Sequence, residues 1–155
     1  MIKKRPKYKR YDVIDRLTNE RLSKLASRFQ YGNIFTMHAS PRKGLQNKTE
    51  ADIIKTYNKE LIKIAIQCVE MKQFNRLYKL RYLAEKSCIL TIATKRKATY
   101  KQTVRRLRRL QQGRLTVINN YGRTKRKFVS FIRWQQLRNL RNKYRNRSYP
   151  LRRHQ

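Results

Sequence analysis

Arg105, Arg106, Arg108 and Arg109 lie in one short run, and each guanidinium is a rigid fork of N–H donors suited to phosphate oxygens. Residues 119–127 (NNYGRTKRK) add Arg123, Lys125, Arg126 and Lys127. In the same stretch Gly122 lets backbone approach a nucleic-acid strand closely, and the Tyr121 ring can stack on a base. Arg133 and Arg138 continue the series among Phe128, Phe131, Ile132 and Trp134. Those apolar side chains are better suited to anchoring a helix on a core than to holding bases. Groups of this kind grip phosphates and stack on bases; they make and break no bonds. Bond-making chemistry has no comparable set: Glu60, Glu70 and Glu85 are too isolated for a paired-carboxylate or metal site, and His154 sits in a basic tail. His38 has no second ligand at metal spacing, and Cys68 and Cys88 do not define a zinc site between them. No Gly-rich phosphate loop ends in Lys-Ser or Lys-Thr. The expectation is a protein that is not an enzyme, has no metal or cofactor, and has a polyanion as its partner.

Charge supports the same expectation. The 155 residues carry 42 Lys and Arg against 8 Asp and Glu, a net charge of +34. Residues 1–85 hold 20 basic and all 8 acidic side chains, for +12, whereas residues 86–155 hold 22 basic and none acidic, for +22. Self-repulsion on that scale opposes a compact free state, so the second half is expected to complete its fold on a polyanion. A lipid surface is the poorest match, because no stretch is apolar over 18 residues and arginine covers most faces of the basic helices. The basic start, residues 1–11, is followed at once by Asp12 and Asp15 and has no apolar segment, so it is expected to be part of the working protein. Tyr8 and Tyr11 could stack on bases from that arm.

The elements that must position these groups are mostly helical. Ile14, Leu17, Leu25 and Phe29 predict a helix over 12–30, and Gly32, Pro41 and Gly44 predict a loop after it. Thr49 and Asp52 form a capping pair for a helix with Ile54, Tyr57, Leu61, Ile64, Ala65, Cys68 and Met71 on one face and Lys55, Lys59, Lys63 and Lys72 around the rest. Cys68 reads as a small buried hydrophobe. Phe74, Leu77, Tyr78 and Tyr82 extend the series, in the same helix or in a second one after a kink near Gln73. Residues 87–94 (SCILTIAT) are rich in β-branched side chains and read as a short strand, with 114–118 as its one visible partner, or as an extended break between helices. Thr99 caps a helix over 100–112 that Gly113 stops; a basic loop and a helix over 128–144 follow, then a tail with Pro150. The expected class is mainly α, an extended helical RNA-bound protein with long basic arms and little or no sheet. Three parts are expected: 1–48, a basic arm, short helix and loop; 49–94, an apolar-faced helical extension; and 95–155, a basic helix-loop-helix RNA-binding region and tail.

The stretch 121–140 (YGRTKRKFVSFIRWQQLRNL) resembles the carboxyl-terminal signature of the fourteenth protein of the small ribosomal subunit. Gly122, Arg123, Lys125, Phe128, Phe131, Leu137, Arg138 and Leu140 fall on its pattern. Residues 107–111 resemble the helix end upstream of that signature, and 76–86 resemble the family's basic amino-terminal helix. The sequence departs from the family in Tyr121 for the usual Thr, in Thr124 for Pro, in one residue fewer between Phe131 and the Leu-Arg pair, and in lacking the Ser-Ser-Trp ending. Neither cysteine matches the family's zinc-bearing branch, and residues 1–70 would be a lineage-specific extension. Residues 84–90, Tyr100 and 104–110 are similar to the eighteenth protein of the same subunit. The resemblance implies a structural constituent in the small-subunit head of a ribosome, mitochondrial or else of another organelle or the cytoplasm. Its partners would be ribosomal RNA and neighbouring ribosomal proteins, with no membrane and no homo-oligomer required. The alternative from the residues is a viral or organellar nucleic-acid packaging protein, which charge alone satisfies but which does not require the apolar periodicity of 54–82.

Overall fold

The computed structural model describes residues 16–121 and 125–153; for 120, 121, 125 and 146–153 the backbone alone is described. Among the described residues five α-helices and two small antiparallel hairpins follow one another. Helix α1 (Asn19–Arg28) starts later than the 12–30 periodicity predicts, because Thr18 accepts a hydrogen bond from the Arg21 amide at 3.2 Å and sets the first turn. It ends with Gln30 in the left-handed region and the Tyr31 amide donating to Ala26 O at 2.8 Å, a Schellman closure made without glycine. Residues expected to be a plain loop then form the short strands β1 (Gly32–Asn33) and β2 (His38–Ala39). Gly32 is obligatory there: its φ is +130°, and an added Cβ would stand 2.2 Å from His38 O.

Helix α2 (Glu50–Gln67) is capped by Thr49 as expected, with Thr49 Oγ1 accepting from the Asp52 amide at 3.2 Å. It buries Ala51, Ile53, Ile54, Tyr57, Leu61, Ile64 and Ala65, and Cys68 closes it as a buried small hydrophobe. Of the two alternatives near Gln73 the second holds: Gln73 takes a left-handed φ of 62°, and a separate helix follows, α3 (Leu77–Arg96). That helix runs unbroken through 87–94, which overturns both the strand and the extended-break expectations. The physical reason is burial, since Ser87, Cys88, Ile89, Thr91, Ile92 and Ala93 are all covered by neighbours, and packing on that scale outweighs the strand preference of β-branched residues. Their hydroxyls are satisfied as well: Thr91 donates to Ser87 O at 2.8 Å and Ser87 to Ser40 O at 2.6 Å.

Thr99 and Gln102 form a reciprocal capping box on α4 (Tyr100–Leu107). This helix ends sooner than the expected 112, through turns at 108–113 with Gln112 and Gly113 both at positive φ. Strand β3 (Thr116–Tyr121) then pairs antiparallel with β4 (Lys125–Ser130), in a register running from Thr116 opposite Ser130 to Tyr121 opposite Lys125. Of the expected loop, 119–121 and 125–127 are therefore strand, while 122–124 lie outside the described residues; the expected helix start at 128 is strand as well, and the segment 114–118 pairs with this partner rather than with 87–94. The hairpin forms because Val117, facing Val129, buries its side chain while Thr116 Oγ1 and Ser130 Oγ meet at 2.9 Å. Helix α5 (Trp134–Arg153) continues beyond the expected 144 into the segment expected to be a tail. Pro150 lies within it, and Leu137 and Leu140 hold its first turns on the core.

One hydrophobic core joins residues from Leu17 to Leu137. At its centre the rings of Tyr31 and Tyr57 stack at 5.6 Å, and Phe131 closes on Tyr57 at 6.3 Å. The Tyr57 hydroxyl meets Ser87 Oγ at 2.7 Å, and burial pushes its pKa up to about 12, so it remains a neutral hydroxyl. Asn58 ties the hairpin to α2 with both ends of its amide, donating to Ser130 O at 2.9 Å and accepting from the Ile132 amide at 2.8 Å.

Candidate nucleic-acid interface

The cationic side chains singled out in the sequence are carried by three consecutive elements. On α4 and the turn after it, Arg105, Arg108 and Arg109 are exposed and Arg106 is half-buried. On β4, Arg126 and Lys127 are exposed; Lys125 pairs through its backbone with Tyr121 at the far end of the hairpin. Arg133 precedes α5 and Arg138 lies on it, both exposed. Gly122 and Arg123 lie outside the described residues. Phe131, Ile132 and Leu137 are core anchors as expected, and Trp134 is half-buried and stacks on Phe74 at 5.9 Å. Phe128 departs from that expectation: it is an exposed strand residue beside Ile118, giving the hairpin an apolar pair next to its cations.

Two of the predicted arginines have an internal role that sequence spacing did not reveal. Arg106 donates to Glu50 Oε1 at 2.8 Å, and Arg96 holds both oxygens of the same carboxylate. Burial raises the Glu50 pKa, but the hydrogen bonds from Arg106 and Arg96 outweigh it and hold the carboxyl below its ordinary range. Arg108 reaches Glu85 Oε1 at 3.2 Å while Arg81 takes Glu85 Oε2 at 2.9 Å. Arg42 closes on Glu60 through two bonds, at 2.6 and 3.0 Å, over the face of Tyr57. The half-buried acids are thus each held by arginine, while Glu20 and Asp52 sit in the first turns of α1 and α2, where the helix dipole favours negative charge. Acidic side chains hold the fold together, and the outward surface of α4, the hairpin and α5 is left cationic.

Sequence reasoning also passed over Arg81 and Arg114, which gather near Arg133. The Arg114 guanidinium is held below its ordinary value by burial and then by the charges of Arg133 and Arg81. Arg141 is held down in the same way, by burial and then by Arg145 and Arg138. The sequence signal for Arg114 was its position directly after Gly113, at the turn into β3. Among the described residues no group of three or more His, Cys, Asp or Glu is placed to hold a metal ion, and no helix is long and apolar enough to cross a membrane. Neither a scan against protein-family models nor a search of curated proteins finds a match to this chain.

Proposed function

We propose that the chain is an RNA-binding structural constituent of the small ribosomal subunit, of a mitochondrial ribosome, anchored in the subunit head beside neighbouring ribosomal proteins. The observation that carries this reading is the separation of charge. Half-buried Glu50, Glu60 and Glu85 are each held by arginine, while Arg105, Arg109, Arg126, Lys127, Arg133 and Arg138 face outward from three adjoining elements. A hydrophobic core that fixes a cationic surface suits one defined RNA fold better than charge condensation, which needs no core. The resemblance of 121–140 to the fourteenth small-subunit protein supplies the particular particle. On this reading the basic helices and hairpin grip phosphates of folded RNA, the basic residues before 16 extend the contact as an arm, and no reaction is catalysed.

Co-sedimentation of the native protein tests the proposal. Detergent-lysed mitochondria, whole-cell extract and chromatin are separated on density gradients at moderate salt and probed for the chain. A stable peak with the small ribosomal subunit is expected. Recovery with virions or chromatin would replace the proposal with packaging, and recovery only at the top of the gradient would remove both.

A further inference from the structure

Three arginines from separate elements share one cavity. Arg81 on α3, Arg114 before β3 and Arg133 before α5 line a hollow of about 290 Å³ together with Glu85 and Gly113. Two of them are aimed by the protein itself. Arg81 Nε donates to Ile132 O at 2.8 Å, while Arg114 donates through Nε to Phe131 O at 3.3 Å and through Nη2 to Gln136 Oε1 at 2.9 Å. The Arg133 amide donates to the same Gln136 oxygen at 2.8 Å, which ties the start of α5 to Arg114. Glu85 is the one carboxylate lining the cavity, and it is already engaged by Arg81 and Arg108. The remaining positive charge is mutually repulsive, and a bound phosphate relieves it.

Exposed aromatic rings lie on the helix that carries Arg81 and at the start of the next one. Tyr78 and Tyr82 lie one turn apart on α3 and are 53% and 44% exposed, although the apolar series in the sequence predicts them in the core. Leu77, Leu80, Leu83 and Ala84 form the buried stripe instead, and the two tyrosines fall off it, three residues before the largely covered Arg81 and Glu85 on α3. Tyr100, 38% exposed at the start of α4, is close enough to Arg108 and Glu85 to feel their charge. Tyr78 meets Trp134 edge-on at 5.6 Å, and Lys86 Nζ stands 4.7 Å from the Tyr82 ring centroid. Exposed rings together with arginines suit an unpaired strand, whose bases are free to stack, whereas a duplex keeps its base faces inside the stack.

We propose that the surface formed by Arg81, Arg114 and Arg133 with Tyr78, Tyr82 and Tyr100 binds an unpaired segment of RNA, its phosphates at the arginine cavity and its bases on the tyrosines. This rests on the RNA binding proposed above and adds the structural class of RNA that is bound.

The test compares a short labelled unstructured RNA with a blunt RNA duplex of equal length, by fluorescence anisotropy on the full chain. The variants are Tyr78→Ala with Tyr82→Ala, the corresponding Phe pair, and Arg114→Gln, each checked by circular dichroism. The Ala pair is expected to weaken single-strand binding by about tenfold or more, since each stacked base contributes roughly 1–3 kcal/mol. The Phe pair keeps the rings and is expected to bind as the parent does, and neither pair changes duplex binding. Arg114→Gln is expected to weaken single-strand binding and flatten its salt dependence. Trp134, the single tryptophan of the chain, gives a second reading: its fluorescence changes when the parent binds single strand and not in the Ala pair. Equal losses on both RNAs, or no loss on either, would overturn the proposal while leaving general RNA binding in place. A parent chain that binds neither RNA would overturn the proposed function together with it.

Discussion

Glu50 joins three helices by accepting arginine bonds from α3 and α4 at the start of α2. Its lowered pKa places its contribution above the ordinary carboxylate value of 4.5, and that contribution is lost as pH falls through the lower folded-state value. Glu50→Gln is expected to cost about 1–3 kcal/mol at neutral pH by denaturant unfolding, because it leaves Arg96 and Arg106 facing each other without their shared anion. The variant should also show a flatter loss of stability on acidification than the parent; an unchanged acid limb would mean that other carboxylates set it. At Gly32 it is the absence of a side chain that the backbone requires. Gly32→Ala is expected to destabilise by about 1–3 kcal/mol, as a Cβ meets His38 O in a conformation that L residues avoid. A melting temperature equal to the parent's would show that the short hairpin is free to shift. Both residues could be located in the sequence, but neither role could: the partners of Glu50 lie 46 and 56 residues away, and Gly32 is required by a strand too short to give a periodic signal.

Among the elements, α2 was legible because its capping threonine and its apolar spacing agree with one another, and the fold keeps both. Leu61, 3% exposed on that face, makes the test direct. Leu61→Asp is expected to cost at least about 3 kcal/mol and abolish the cooperative unfolding transition, since a charge would enter the core unpaired. The second half of α3 was misread because local preference and tertiary burial disagree there, and only the neighbours around Cys88 and Ile92 decide between them. The β3–β4 hairpin was hidden for a different reason. Its far end carries Asn119 opposite Lys127 and Asn120 opposite Arg126, and Ile118 and Phe128 are exposed, so the alternation that marks a strand shows only near Val117 and Val129, where one face meets the core. The polar and cationic residues 119–121 and 125–127 therefore read as loop rather than strand. Arg126→Gln with Lys127→Gln is expected to leave helicity unchanged, because both side chains are exposed, and to lower the salt slope of RNA binding by about 1.5. An unchanged slope would move the contact to Arg105, Arg108 and Arg109 on α4 and the turn after it.

At the scale of the whole molecule, the net charge of +34 opposes the same core that holds the fold together. A polyanion such as heparin is therefore expected to raise the melting temperature at low ionic strength and to do so less as salt is added. A melting temperature indifferent to heparin would show that the cations are far enough apart not to strain the fold. The cationic character of the surface was plain from composition, whereas the internal use of the acids required the fold, because Arg42–Glu60, Arg96–Glu50, Arg106–Glu50 and Arg108–Glu85 join residues distant in sequence. The Asn58 tie and the Phe131 ring on Tyr57 bear on how the chain is made. Both come from residues beyond 129, so during synthesis α2 and α3 emerge with one side of Tyr57 uncovered and the amide of Asn58 unsatisfied. The ribosome must deliver the hairpin and the start of α5 before the earlier helices can settle. Nascent chains stalled before residue 130 should therefore be cut by protease within α2 and held by chaperones, whereas chains released beyond 140 should resist cutting there.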